Sequence, residues 1–231
     1  MKGDMKKLLV TSGVLLSTVI SSQAYAQSSF EGFYGQLGIG YENVSPTTSS
    51  TLVVNGVNVP TSISVANTNS FAGTATLGYT FAVDKEFLLG IGAEYSPIAG
   101  NSSNVTYNVV GYSIPLGTFK KKNSYNFFIA PSAAIGRDQL AYFKVGYTGS
   151  QIETTDIGGA SDTTNYHGYS LGLGYKQFIS SGLYGFGEVN YFKYTNQTAN
   201  ATGTIGGYPA SASLTSGASA TNFIVGLGYK F

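Results

Sequence analysis

Groups able to do chemistry are sparse in this chain. Its one histidine, His167, is the only side chain that titrates near neutral pH without help, and there is no cysteine. A hydrolytic site would need a serine beside that imidazole. Ser170 lies three residues on, so on a strand the two side chains leave opposite faces and cannot share a proton directly. No catalytic residue is therefore expected. Zinc and iron sites draw on Cys or several His, so no metal and no cofactor is expected either. The remaining candidates are Gln36, Glu94, Lys144, Glu188 and Asn190, polar residues set in apolar and glycine-rich surroundings. Buried together they must pair, because a lone charge in a low-dielectric interior carries a large desolvation penalty. Two outcomes are open for such a group: a static plug of salt bridges and hydrogen bonds, or a gate whose pairs exchange to let ions through.

The elements that would hold these residues are strands. In the final segment Phe223, Val225, Leu227, Tyr229 and Phe231 share one face, while Ile224, Gly226, Gly228 and Lys230 share the other. The pattern recurs in seven segments upstream. Strands are expected at about 32–42, 70–83, 86–97, 123–136, 140–149, 166–177, 183–194 and 219–231. Odd-numbered positions are the apolar set throughout, and only Lys193 puts a charge on that face. Tyr and Phe gather toward strand ends, as in Phe33 with Tyr41 and Phe87 with Tyr95, which is the arrangement of an interfacial aromatic belt. The joins alternate between short (83–85, 136–139, 178–182) and long (43–69, 98–122, 150–165, 195–218). Closing eight strands into a ring removes the edges whose N–H and C=O groups hydrocarbon could not satisfy. The expectation is an all-β, eight-stranded antiparallel up-and-down transmembrane barrel, with short turns and termini in the periplasm and long loops outside.

A soluble barrel of lipocalin type has the same alternation but would turn the even-numbered set to water. Along the strands that set carries only Glu42, Glu86, Glu94, Lys144, Lys176, Glu188 and Lys230 as charges, far below the roughly 25–35% of a soluble surface. It is instead rich in glycine, which suits a narrow interior. Tyr34, Phe128, Tyr142, Tyr184, Phe186 and Phe192 would fill the space those glycines leave. Residues 1–26 read as a cleaved secretory signal: Lys2, Lys6 and Lys7, an apolar run from Leu8 to Ile20, then Ala24-Tyr25-Ala26. The barrel domain is then 27–231. Loss of the signal takes the formal charge from +1 to −1, and Lys120-Lys121-Lys122 is the only basic cluster, so nucleic acid is not an expected partner. Without cysteine, an exported chain has no disulfide staples, and its stability rests on the strand ladder.

The signal ending at Ala26, the opening strand Gly32-Phe33-Tyr34-Gly35, the segment Leu140 to Tyr147 and the closing Gly226 to Phe231 together resemble the small eight-stranded outer-membrane β-barrel family. That group includes opacity-type surface proteins and the barrel domain of outer-membrane protein A. The resemblance implies residence in the outer membrane, in contact with its lipid and lipopolysaccharide. It also implies that Leu227, Tyr229 and Phe231 form the signal read by the barrel-assembly machinery, with periplasmic chaperones assisting, and that the barrel is a monomer. Outer-membrane deacylases in this size class pair His and Ser on one face; here His167 and Ser170 depart from that.

The long loops carry what specificity exists. Asn55-Gly56 between two β-rich arms predicts a hairpin that extends the wall outward, while residues 195–221, mostly Thr, Ala, Ser, Gly and Asn, read as mobile surface. Asn43, Asn104 and Asn196 match the glycosylation acceptor pattern but in such a chain are loop composition only. The resulting functional expectation is a structural and surface-interaction protein with a side-chain-filled lumen. The rivals are a small-solute channel and an adhesin holding a host or surface ligand through its loops.

Overall fold

The computed structural model describes residues 28–231; the expected signal, residues 1–26, lies outside them. Twelve strands follow one another: β1 (Gly32–Val54), β2 (Val57–Val59), β3 (Thr61–Val65), β4 (Thr68–Ala82), β5 (Phe87–Ser96), β6 (Ser103–Val109), β7 (Tyr112–Ile135), β8 (Gln139–Asp156), β9 (Ser161–Phe178), β10 (Leu183–Tyr194), β11 (Gln197–Ile205) and β12 (Tyr208–Lys230). Eight of them, β1, β4, β5, β7, β8, β9, β10 and β12, form an antiparallel ring in chain order. The ring closes where β12 returns to β1, in a register running from Tyr34 opposite Lys230 to Val54 opposite Ala210. At the end of that seam the Phe231 amide donates to the carbonyl of Phe33 at 2.9 Å, so the last residue is tied in.

The alternation decides which face looks where. Leu37, Ile91 and Leu227 are 70%, 43% and 54% exposed on the outside, whereas Glu94 and Lys144 are 6% and 1% exposed inside. A continuous apolar exterior is stable only against hydrocarbon, since monomeric soluble proteins rarely expose more than a few hundred Å² of apolar patch. The aromatic girdle follows the same face, with Tyr95 opposite Tyr125 and Tyr147 opposite Tyr169 in neighbouring strands.

The strands outrun their expected ends at the long-hairpin side. β1 continues to Val54, β7 begins at Tyr112, and β12 begins at Tyr208, while β2, β6 and β11 pair onto these extensions and β3 pairs with β6. Residues expected as long loops are thus mostly ladder, and the segment read as mobile surface is the regular hairpin of β11 and β12, paired from Gln197–Ser216 to Ile205–Tyr208. These stretches leave membrane depth, so the outward face becomes mostly Thr, Ser and Asn, and the lipid-facing apolar period that marks a strand disappears. The predicted Asn55-Gly56 turn is present, both residues at positive φ (50° and 76°), as a two-residue hairpin demands.

One irregularity matters for the interior. Between Lys122 opposite Gln151 and Tyr125 opposite Gly149, β7 carries two residues against one, a bulge with Asn123 at φ 44°. The extra residue reverses parity: even-numbered residues of β7 point inward after it, whereas Phe119 and Lys121 point inward just before it.

Candidate functional site

Inside the ring the five predicted polar residues converge. Gln36 comes from β1, Glu94 from β5, Lys144 from β8, and Glu188 and Asn190 from β10. Lys144 lies 3.0 Å from a carboxylate oxygen of Glu94 and 3.0 Å from one of Glu188, donating to both. The Gln36 amide donates to Glu188 at 3.3 Å, and the Asn190 amide at 3.2 Å. Glycines of β9 make the crossing possible: Gly172 is opposite Lys144, and Gly174 is opposite Glu188, so neither long side chain meets a Cβ on that neighbour.

The shell around these five was only partly legible. Tyr142 donates its hydroxyl to Glu188 at 2.5 Å, Tyr184 donates to Gln36 at 3.2 Å, Thr76 to Glu94 at 3.4 Å, and Asn190 to Asn222 at 3.0 Å. Tyr142 and Tyr184 are expected from sequence only as filler; their even parity places them inside, but reach to a polar partner depends on strand tilt. All six predicted filler aromatics are buried. Five of them sit directly opposite a glycine: Tyr34 opposite Gly78, Phe128 opposite Gly92, Tyr142 opposite Gly174, Tyr184 opposite Gly228 and Phe186 opposite Gly226. Each ring lies across the gap its glycine leaves, which is how an eight-stranded interior fills with side chains.

Lys176 is buried against the rings of Tyr34, Tyr184 and Tyr142, its ammonium 3.8, 5.0 and 5.3 Å from their centroids. Nearer the long hairpins, Lys121 pairs with Glu42 at 2.6 Å beside Phe192. This second ion pair escaped the sequence reading because the bulge hides the parity of Lys121. Ser170 donates to Asn126 at 2.7 Å within the same interior. His167 is on the opposite side of the wall, exposed and stacked on Tyr147. Among the described residues no three His, Cys, Asp or Glu side chains gather as metal ligands.

This arrangement cross-links four strands of the ring. It joins β1, β5, β8 and β10 through charged hydrogen bonds between buried side chains. Removing one partner of such a buried pair typically costs about 3–5 kcal/mol, because the other charge is left uncompensated. The cavity bounded by Tyr34, Lys176 and Glu188 measures about 10 Å³, about one water. Outside the ring, Lys120 lies 3.4 Å from Glu153, and Lys122 hydrogen-bonds the same carboxylate. The Lys122 hydrogen bond holds Glu153 below the usual carboxylate range. At the other end Leu227, Tyr229 and Phe231 all face outward, the last two ring-on-edge at 5.4 Å.

Known proteins repeat this architecture. The family model described as "Outer membrane protein beta-barrel domain" matches residues 12–231. The outer membrane protein OprG from Pseudomonas aeruginosa is similar in structure, with a TM-score of 0.60, 17% identity, and coverage of 89% of this chain and 99% of that one. Neisserial surface protein A is similar with a TM-score of 0.50, 12% identity, and coverage of 87% and 98%. At such identities the likeness concerns the fold alone. No curated protein matches in sequence.

Proposed function

The chain belongs to the outer membrane protein beta-barrel domain family and is an integral outer-membrane β-barrel; from that premise we propose a structural and surface-interaction role, with a closed lumen and four hairpins presented to the outside. The observation that carries the closed lumen is the Lys144 bridge to Glu94 and Glu188, packed among rings that leave a cavity of about 10 Å³. In this reading Gln36, Glu94, Lys144, Glu188 and Asn190 are a fixed polar plug. The short turns and both termini lie in the periplasm, and residues 1–26 are the export signal removed there. Leu227, Tyr229 and Phe231 present the outward aromatic pattern that the assembly machinery reads, after periplasmic chaperones deliver the chain. Lipopolysaccharide meets the outer tyrosine belt, above which Lys120 and Lys122 face out.

Single-channel recording in planar bilayers tests this against a small-solute channel. A closed plug gives no steady openings. Steady openings abolished by Glu94→Gln, Lys144→Met or Glu188→Gln would refute it.

A further inference from the structure

Beyond the plug, at the long-hairpin end, the inward faces of the extended strands change character. Ile63 and Val65 of β3, Val105 of β6, Phe119 of β7, Ile152 of β8 and Ala218 of β12 enclose a cavity of about 250 Å³. Its floor is the buried cluster of Val44, Phe119, Phe192, Tyr194 and Ala218, and the Glu42–Lys121 pair lies on the barrel side of that floor. We propose that this cavity is a binding chamber for a neutral, mainly hydrocarbon molecule of about ten carbon atoms, taken up from outside the cell.

The chemistry of the lining selects that class. No carboxylate, ammonium or guanidinium group lines the chamber, so a charged ligand would lose its hydration with nothing in return. Three of the four hydroxyls at its wall are already partnered: those of Tyr166 and Ser216 share a hydrogen bond at 2.8 Å, and Thr48 donates to the carbonyl of Ile63 at 2.7 Å, which leaves Thr154. A bound water needs two to four polar partners, and here few are left, so an apolar occupant is favoured over water. Size follows by comparison: an apolar cavity of about 150 Å³ holds benzene, so this one holds roughly ten carbons. The Tyr166–Ser216 pair keeps spare lone pairs, enough to accept one hydroxyl from the ligand.

The other source of the same chemistry is an acyl chain from the bilayer. Paired ladders separate the chamber from lipid on two sides, where β1 pairs with β12 out to Val54 and β7, beyond its bulge at Asn123, pairs with β8 out to Asp156. These walls favour entry from the hairpin end. That this end faces outward rests on the orientation proposed above; the chamber itself does not.

The test uses the full barrel in lipid nanodiscs with 1-fluoronaphthalene as the probe. Fluorine NMR should show a bound line absent from empty nanodiscs, with nuclear Overhauser contacts to methyl groups of Ile63, Val105 and Ile152. Ala218→Phe, whose ring would enter the cavity, should weaken binding about tenfold or more. Val105→Phe fills the same space from β6, outside the ring, and serves if the first variant does not fold; heat-modifiable gel migration checks both. Absence of the line, or an unchanged line in a folded filled variant, overturns the proposal. Contacts between chamber methyls and lipid-tail protons without probe would assign the occupant to the bilayer and refute the external source. Labelling of Thr51→Cys in intact cells by an impermeant maleimide tests orientation separately, so its failure is distinguishable from that of the chamber.

Discussion

Gly174→Ala puts the packing of the plug to a direct test. A Cβ built at Gly174 falls closer than 3.0 Å to Cζ, Cε2 and the hydroxyl oxygen of Tyr142, with no other atom among its three nearest neighbours. Real Cβ contacts essentially never come that close, so the Tyr142 ring must move. The ring is buried, and its hydroxyl donates to Glu188 at 2.5 Å, so displacement also weakens a hydrogen bond to a charge. Overpacking of this kind costs about 1–3 kcal/mol. A hydrogen bond to a charged group contributes up to about 1.5–3 kcal/mol, giving an expected loss of roughly 1–6 kcal/mol according to how far it is weakened. Gly187→Ala, on the outer face of β10 with nothing within 4 Å of the added Cβ, is the matched control and should change stability by less than about 0.5 kcal/mol. The assay is urea unfolding of the refolded barrel in lipid, read by heat-modifiable migration. In the double variant Tyr142→Leu with Gly174→Ala the clash is gone, so the total loss should fall below the sum of the two single losses. A Gly174→Ala barrel as stable as its control would mean that the ring has room it is not assigned here.

The exterior and the seam give further expectations. Ile91→Arg, at mid-height on the lipid face between Tyr79 and Ile129, should cost about 2–4 kcal/mol and lower the yield of inserted barrel, while Thr51→Arg in the extension of β1 should be tolerated; equal yields would contradict the face assignment. Deleting Phe231 removes both the ring packed on Tyr229 and the hydrogen bond to Phe33, and should slow insertion into lipid vesicles; unchanged kinetics would show that the terminal residue is not needed for closure. Glu153 has its carboxyl held low by the Lys122 hydrogen bond. A depressed carboxyl favours the fold above the unfolded value of about 4.3 and loses that contribution as pH falls through the folded value. A carbon NMR titration should therefore place Glu153 below about 4.3, with Lys122→Met moving it back up.

Much of this molecule follows from a period of two. Because successive side chains on a strand point to opposite faces, the list of residues on each face could be written down before any fold was known, and lipid on one side made the two lists chemically unlike. That is why Leu37, Ile91 and Leu227 could be assigned outward, and Gln36, Glu94, Lys144, Glu188 and Asn190 inward, from residue type alone. The opposite facing of His167 and Ser170 follows from the same rule.

Three-dimensional closure decided what parity leaves free. Which inward residues touch depends on strand tilt and register around the ring, so the Lys144 bridge to both Glu94 and Glu188, and the tyrosine hydroxyls that complete it, appear only once β12 has met β1. A single bulge at Asn123 turned Lys121 inward toward Glu42 against the parity of the rest of β7, because one extra residue flips the side chains just before it. The tall hairpins were hidden for a related reason: beyond the membrane the outward face is polar, the lipid-facing hydrophobic period vanishes, and pairing there is dictated by neighbours already in place rather than by a pattern in the chain.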